Sequence, residues 1–335
     1  MYASFYGFSA KPFQLKPDPN FFYGSTGHKR AMAYLEYGLA QAEGFIVITG
    51  EVGAGKTTLV RHLFQKLEPE KIVAAQIVNT NLDSDDTLRM VAAGFGLPLP
   101  QGNSGKASVL IGLEQFFRKC DQQGKRALLV VDEAQNLSPR TVEELRMLSN
   151  FQGADKPLLQ TFLLGQPEFR KTLMGSNMQQ LRQRVTATYH LGPMDLAETR
   201  SYIEHRLKTA GWSGDPAFDE GAFSSIYAYS GGIPRKINAL CDRLLLMGYL
   251  EKLHCFGGPE VGDVIRDIEQ EFDMSLASAD MPAQDQLPAE AQGTQSLAEV
   301  REMHSRLANL EETVVTLVDL LKQILSLANV NKRLR

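Results

Sequence analysis

Cysteine is scarce: the 335 residues hold three, Cys120, Cys241 and Cys255, an odd number with no CxxC pair. Neither a disulfide framework nor a cysteine zinc site is therefore encoded, and such usage predicts a reducing compartment. His254 beside Cys255 has no second ligand pair to join it, so packing or surface explains it better than a metal. No apolar run approaches the ~20 residues that span a bilayer, and the opening Met1–Tyr6 lacks the basic-then-apolar order of a secretory leader. The expectation is a cytoplasmic protein that must be recruited if it works at a membrane. An excess of one charge is missing too, since 35 Lys+Arg against 39 Asp+Glu leave a net charge of −4. That balance speaks against a chain held to nucleic acid mainly by phosphates, although a local basic groove is compatible with it.

What is present is globular. With 43% hydrophobic and 22% charged residues, the chain has enough apolar material for a core, and its length suggests about two domains. Short apolar runs at Phe45–Thr49, Ile72–Val78, Ala127–Val131, Leu158–Leu164 and Thr186–Leu191 alternate with helical patterns at about 56–68, 84–94, 106–122, 138–150, 167–174 and 177–184. Alternating β and α predicts a five-stranded parallel sheet covered on both faces. Asp85/Asp86 and Ser138-Pro139 have the composition of helix starts. After Pro193 the pattern is helical throughout, broken near Gly211–Gly214, Gly231–Pro234 and Gly257–Pro259. The expected organisation is an αβα core over 1–192, an all-helical lid over 193–272, a linker over 273–296 and an amphipathic helix over 297–331. In the last, Val300, Met303, Leu307, Leu310, Val314, Leu317, Leu321, Ile324 and Ala328 recur at steps of three and four, a coiled-coil-like seam. Val315, Val318 and Leu325 widen that stripe, so packing on its own chain or on a membrane surface are the alternatives to self-association.

One motif carries chemistry outright. Gly50, Glu51, Val52, Gly53, Ala54, Gly55, Lys56 and Thr57, followed by Thr58, fit the P-loop pattern after a predicted strand and before a predicted helix. Glycines let backbone N–H groups converge on phosphate oxygens, and the helix N-terminus adds partial positive charge. Lys56 then reaches the β/γ-phosphates of ATP and the Thr57 hydroxyl coordinates Mg²⁺. The apolar run Leu128–Val131 ends in Asp132-Glu133, which delivers two carboxylates to the carboxyl edge of the sheet. Asp132 is expected to hold Mg²⁺ and Glu133 to polarise the attacking water.

The ordered series FIVITGEVGAGKTT, ALLVVDEAQNL, LLGQPE, LRQRV and GGIPRKIN resembles the AAA+ ATPases of the ExeA/GspA type, and most closely the secretion ATPases of PEP-CTERM/exosortase exopolysaccharide loci. The likeness covers about residues 1–272, and TnsC/TniB-type transposition ATPases, which act on DNA, share much of the same core. The resemblance implies an oligomeric, ATP-hydrolysing protein in which Gln166 occupies the γ-phosphate sensor position, where the usual residue is Asn or Thr. It implies that Arg184, or failing that Arg182, is an arginine finger entering the adjacent subunit, and that Arg235 is the lid's nucleotide sensor, with Asn238 one turn on. It implies an N-terminal segment, Phe5 to Tyr23, that packs near the adenine, although for these aromatics and for His28 closing a core is the simpler role. It also implies recruitment, through 297–331, to a membrane-associated export or polysaccharide machine, peripheral at the inner membrane. ExeA-type proteins continue into a transmembrane segment and a periplasmic peptidoglycan-binding domain that the 335 residues do not contain, so cell-wall binding is not expected here.

Overall fold

Successive side chains along a strand point to opposite faces, so a strand covered on both faces must find a core on each side, and this explains the uninterrupted apolar runs. In the computed structural model, which describes residues 1–41, 43–78, 83–98, 105–153, 156–175 and 178–279, five strands form one parallel sheet in the order β2-β3-β4-β1-β5. They are β1 (Phe45–Gly50), β2 (Ile72–Ile77), β3 (Arg126–Val131), β4 (Leu159–Gly165) and β5 (Val185–Leu191). Val47, Leu129, Val131 and Leu163 face one core, shared with α4 (Ser84–Gly94), α5 (Lys106–Gln122), α6 (Pro139–Leu148), α7 (Pro167–Met174) and α8 (Gln179–Arg182). Ile46, Ile48, Leu128, Val130, Phe162 and Leu164 face the other, shared with α2 (Thr26–Gln41) and α3 (Lys56–Lys66). The three central strands bury nearly every side chain, whereas β5, at the sheet edge, alternates half-buried and exposed positions.

The helix starts obey local chemistry. Asp83 accepts from the backbone N–H groups of Asp85 and Asp86 at 3.0 and 2.9 Å, and Ser138 accepts from Thr141 N at 3.1 Å with Pro139 in the first turn. Helix α2 has no counterpart in the sequence reading. It buries Ala31, Met32, Leu35 and Gly38, and Gly38 makes a close approach to Ile46 and Phe162, so a Cβ there would collide with the Ile46 side chain and come within 3.0 Å of Phe162.

A third core lies in the helical layer of α9 (Leu196–Thr209), α10 (Glu220–Ser230), α11 (Pro234–Glu251) and α12 (Gly258–Ala279). Three expectations need correction here. The lid is not purely helical, because Ala217–Phe218 (β6) pairs in parallel with Cys255–Phe256 (β7). Two residues per strand are too few to leave any periodic trace in a sequence. Helix α12 continues to Ala279, past the expected linker start at 273, while 280–296 and the amphipathic helix at 297–331 lie outside the described residues. The N-terminal residues, which the division at 192 assigns to the αβα core, pack on the lid instead: α1 (Tyr2–Phe5), Tyr6, Phe8, Phe13 and Phe21 share its apolar cluster. Arg206 on α9 secures them, donating to Pro12 O at 2.5 Å with its guanidinium 5.1 Å from the Phe21 ring centroid.

The glycines make a checkable contrast. Gly38→Val is expected to lower stability by about 1–3 kcal/mol through overpacking against β1 and β4. Gly112→Ala, inside α5 where nothing lies within 4 Å of an added Cβ, is expected to raise it by up to about 1 kcal/mol through helix propensity. Urea unfolding midpoints of the two variants should move in opposite directions.

Candidate functional site

The P-loop closes over the end of β1 because Gly53 and Gly55 take positive φ values of +83° and +99° that other residues resist. Their lack of Cβ is also demanded by contact. An added Cβ on Gly55 would meet His28 Nε2 at 2.7 Å, and one on Gly53 would overlap the Arg235 side chain. Lys56, 6% exposed, donates from Nζ to the carbonyls of Gly50 at 2.6 Å and Glu51 at 3.0 Å. Burial pushes its pKa down, and the nearby carboxylates, Glu133 first, push it back up.

Across the sheet edge the Thr57 hydroxyl donates to Asp132 Oδ2 at 2.8 Å, and Asp132 Oδ1 accepts from Glu133 N at 3.0 Å. Asp132 is 1% exposed, and burial raises its carboxyl above the ordinary range against the opposing pull of those two hydrogen bonds. Glu133 stands in the left-handed region, φ +53°, where the chain leaves β3 and turns into the single 3-10 turn Ala134–Asn136. Its Oε2 accepts from Gln135 Nε2 at 2.5 Å and from Gln166 Nε2 at 3.3 Å. Lys56, Thr57, Asp132, Glu133 and Gln166 thus meet where β1, β3 and β4 end.

A cavity of about 380 Å³ joins this cluster to the lid. Gly53, Gly55, Lys56, Thr57, Thr58 and Glu133 line one side, and Tyr202, Arg206, Pro234, Arg235 and Asn238 the other. Arg235, in the first turn of α11, donates its backbone N–H to Gly53 O at 3.2 Å, so the lid touches the P-loop directly. Asn238 accepts from the Tyr202 hydroxyl at 2.8 Å, a lid-internal bond. Residues 14–18 and 21–23 close the cavity, so the N-terminal segment both fills the lid core and walls this space. His28 lines it too; burial lowers its pKa, which keeps the ring neutral, and Ser25 Oγ lies 2.7 Å from Nδ1. The sequence assigns His28 to a core and gives no role to Gln135, whose signal is its place two residues after Glu133.

The donor set fits a nucleoside triphosphate with a divalent cation. Lys56, Arg235 and the N-terminus of α3 suit a polyphosphate, and a hydroxyl paired with a buried carboxylate suits a hard cation that keeps several waters. Among the described residues no cluster of three or more His, Cys, Asp or Glu offers a separate metal site, and His254 instead bonds Asp215 at 2.8 Å. The two candidate finger arginines lie elsewhere. Arg182 donates to Leu173 O at 2.7 Å and Gly175 O at 3.1 Å, capping α7, and Arg184 donates to Ser149 O and Oγ at 3.3 and 3.2 Å. Arg184 sits just before β5, at the amino edge of the parallel sheet, and neither arginine lines the P-loop cavity.

The AAA domain family matches residues 39–173. General secretion pathway protein A of Aeromonas hydrophila is 39% identical over 254 residues, which are 76% of this chain and 46% of that protein. The AAA domain and this likeness together support an AAA+ ATPase of the ExeA type. It spans about half the length of that relative. Solved structures share the fold: the Aeropyrum pernix ORC1 protein in complex with DNA (TM-score 0.60, 15% identity, 81% of this chain, 72% of that one) and the ORC2 protein of the same organism (TM-score 0.59, 15% identity, 77% and 71%). At these identities the likeness speaks for the P-loop αβα architecture alone.

Asp132 yields a sign-definite expectation. Because its carboxyl is raised, the ionised form costs the fold stability as pH climbs from the ordinary value near ~4 through the raised one, and the cost persists at neutral pH. Asp132→Asn removes the charge, so without nucleotide its melting temperature at pH 7 should exceed the parent's. Mg²⁺-dependent tightening of nucleotide binding should be lost in the same variant. Calorimetry and a fluorescent-nucleotide titration check the two halves.

Proposed function

We propose that this AAA+ chain binds Mg-ATP in the cavity between P-loop and lid, hydrolyses it as an oligomer, and thereby powers or regulates an envelope export system of the exopolysaccharide, PEP-CTERM/exosortase-associated kind. The observation that carries the catalytic half is the cluster of Lys56, Thr57, Asp132, Glu133 and Gln166 at one sheet edge, with Arg235 facing it from the lid. Lys56 and the loop amides hold the phosphates; Thr57 and Asp132 hold Mg²⁺, which supplies charge neutralisation at the phosphoryl oxygens. Glu133 accepts a proton from the attacking water, Gln166 reports the γ-phosphate, and Arg235 ties the phosphates to the lid angle.

Arg184 acts in trans on this reading. Its position at the opposite sheet edge from its own P-loop means that any contribution to hydrolysis comes from reaching a neighbouring subunit's site. Arg182 is the weaker finger because α7 already uses it as a cap. The export half rests on the likeness to General secretion pathway protein A, and peripheral membrane placement accords with the fact that no described helix is long and apolar enough to cross a bilayer.

Hydrolysis per subunit should rise with protein concentration. Glu133→Gln should retain nucleotide and lose about 10²-fold or more in kcat. Arg184→Ala should lose about 10³-fold while its stability stays near the parent's, and Arg182→Ala should unfold at lower denaturant. Phosphate release assays across a dilution series, with and without duplex DNA, check the rates, a fluorescent-nucleotide titration checks retention, and urea unfolding checks the stabilities. Linear activity down to monomers would remove the trans finger, and strong DNA stimulation with filament-sized particles would favour a transposition-type regulator over export.

A further inference from the structure

Gln135 sits where β3 and β4 both end, half-buried beneath the site, and it is bonded to both sides of it. Its Oε1 accepts from the backbone N–H of Gln166 at 3.0 Å, while its Nε2 donates to Glu133 Oε2 at 2.5 Å. A backbone N–H can only donate, so the amide's orientation follows from the bond to Gln166, and its NH₂ is necessarily the end turned to the carboxylate. The Gln166 side chain completes the circuit by donating to the same Glu133 oxygen at 3.3 Å.

The backbone prepares this arrangement. Glu133 takes φ +53°, a conformation that costs a non-glycine residue on the order of 1 kcal/mol and persists only where the surroundings impose it. Here Asn136 N bonds Glu133 O at 3.0 Å, and Ala134, fully buried, anchors the turn in the core. The chain therefore reverses at Glu133 and returns Gln135 to a point from which its short side chain spans β3 and β4. Both amide bonds fall on Oε2, which fixes the rotation of the carboxylate rather than merely satisfying it.

We propose that Gln135 is a positioning residue for hydrolysis, a rigid amide that sets the Glu133 carboxylate and couples it to the end of β4. The proposal rests on the reading of Glu133 as the group that accepts the water's proton. The coupling follows from the geometry: the amide is planar, so movement of the Gln166 backbone at the head of α7 carries the Nε2 end, and with it the carboxylate. A γ-phosphate that draws on Gln166 thus shifts the base as well. Misplacing a catalytic group by about 1 Å costs up to about 10²-fold in rate, which sets the scale.

Two substitutions separate the two ends of the amide. Gln135→Leu removes both bonds, while Gln135→Glu keeps an acceptor for Gln166 N–H and replaces the donor facing Glu133 with an oxygen. Both are expected to lower kcat by about 10- to 100-fold while the affinity for a fluorescent ATP analogue changes by less than about twofold. Hydrogen exchange at the Gln166 amide should quicken in Gln135→Leu and stay slow in Gln135→Glu. The double variant Glu133→Gln/Gln135→Leu should be no slower than Glu133→Gln alone, because groups that act as a unit are not additive. A hydrolysing parent whose Gln135→Leu variant keeps its kcat, loses nucleotide affinity in proportion, or adds its loss to that of Glu133→Gln overturns the role of Gln135 and leaves the ATPase reading standing. Unchanged exchange at Gln166 in the leucine variant overturns the bridge itself. A parent that binds nucleotide and hydrolyses none removes the ATPase reading and this role together.

Discussion

A buried carboxylate held against a threonine hydroxyl organises this molecule. Asp132 ends β3 and Thr57 begins α3, 75 residues earlier, yet they meet at 2.8 Å because β1 and β3 both run parallel to β4, which lies between them. A carboxylate this deep is costly unless hydrogen-bonded. The fold meets that cost with one side-chain hydroxyl and one backbone N–H, and accepts a raised pKa for the remainder. The hydroxyl and carboxylate that suit a hard cation therefore need no rearrangement of the chain to be brought together. Parallel strands place Lys56, Asp132, Glu133 and Gln166 on one edge of the sheet, and Arg184 on the other. A sheet with an antiparallel member would not separate them so cleanly.

The second organising contact joins the P-loop to the helical layer. Gly53 meets Arg235 through a backbone hydrogen bond of 3.2 Å and through a space that a Cβ would fill. The lid, moreover, is built partly from the first residues of the chain. Phe13 and Phe21 belong to its core, Arg206 binds Pro12 O, and residues 14–18 wall the cavity. This wall and Arg235 consequently belong to one packed layer. On the α2 side the same layer holds Thr26 N, which donates to Glu198 at 2.7 Å.

What the sequence discloses depends on how far apart the cooperating residues lie. Strands buried on both faces leave apolar runs bounded by glycine and charge, and the three central strands are visible that way, while the less buried edge strands β2 and β5 show through their place in the β/α alternation. Contiguous chemistry is visible too: the P-loop and Asp132-Glu133 each occupy one stretch, and the structure brings Thr57 and Asp132 within 2.8 Å of each other. Helix α2 escapes notice because its buried face mixes the small Ala31 and Gly38 with Met32 and Leu35, while Tyr34 and Tyr37 stay exposed and blur that face. Phe13 and Phe21 read as generic core residues, and only the fold reveals that the core they close is the lid's. Gln135 is the hardest case, since its meaning requires a left-handed Glu133 and a partner 31 residues away.

Glutamine at 166, in place of the shorter asparagine or threonine of the resembled family, lets the side chain reach Glu133 at 3.3 Å while its backbone holds Gln135. A longer side chain adds rotamer entropy that must be lost on ordering. It also spans from the head of α7 to the carboxylate at the end of β3, which a shorter side chain at that backbone position would not do. The departure from the usual residue is then matched by its surroundings: two glutamine amides converge on one carboxylate oxygen, and each is placed by the end of a different strand. Gln166 and Glu133 are tied to each other by this arrangement, and the turn Ala134–Asn136, held by the buried Ala134, places the second amide between them.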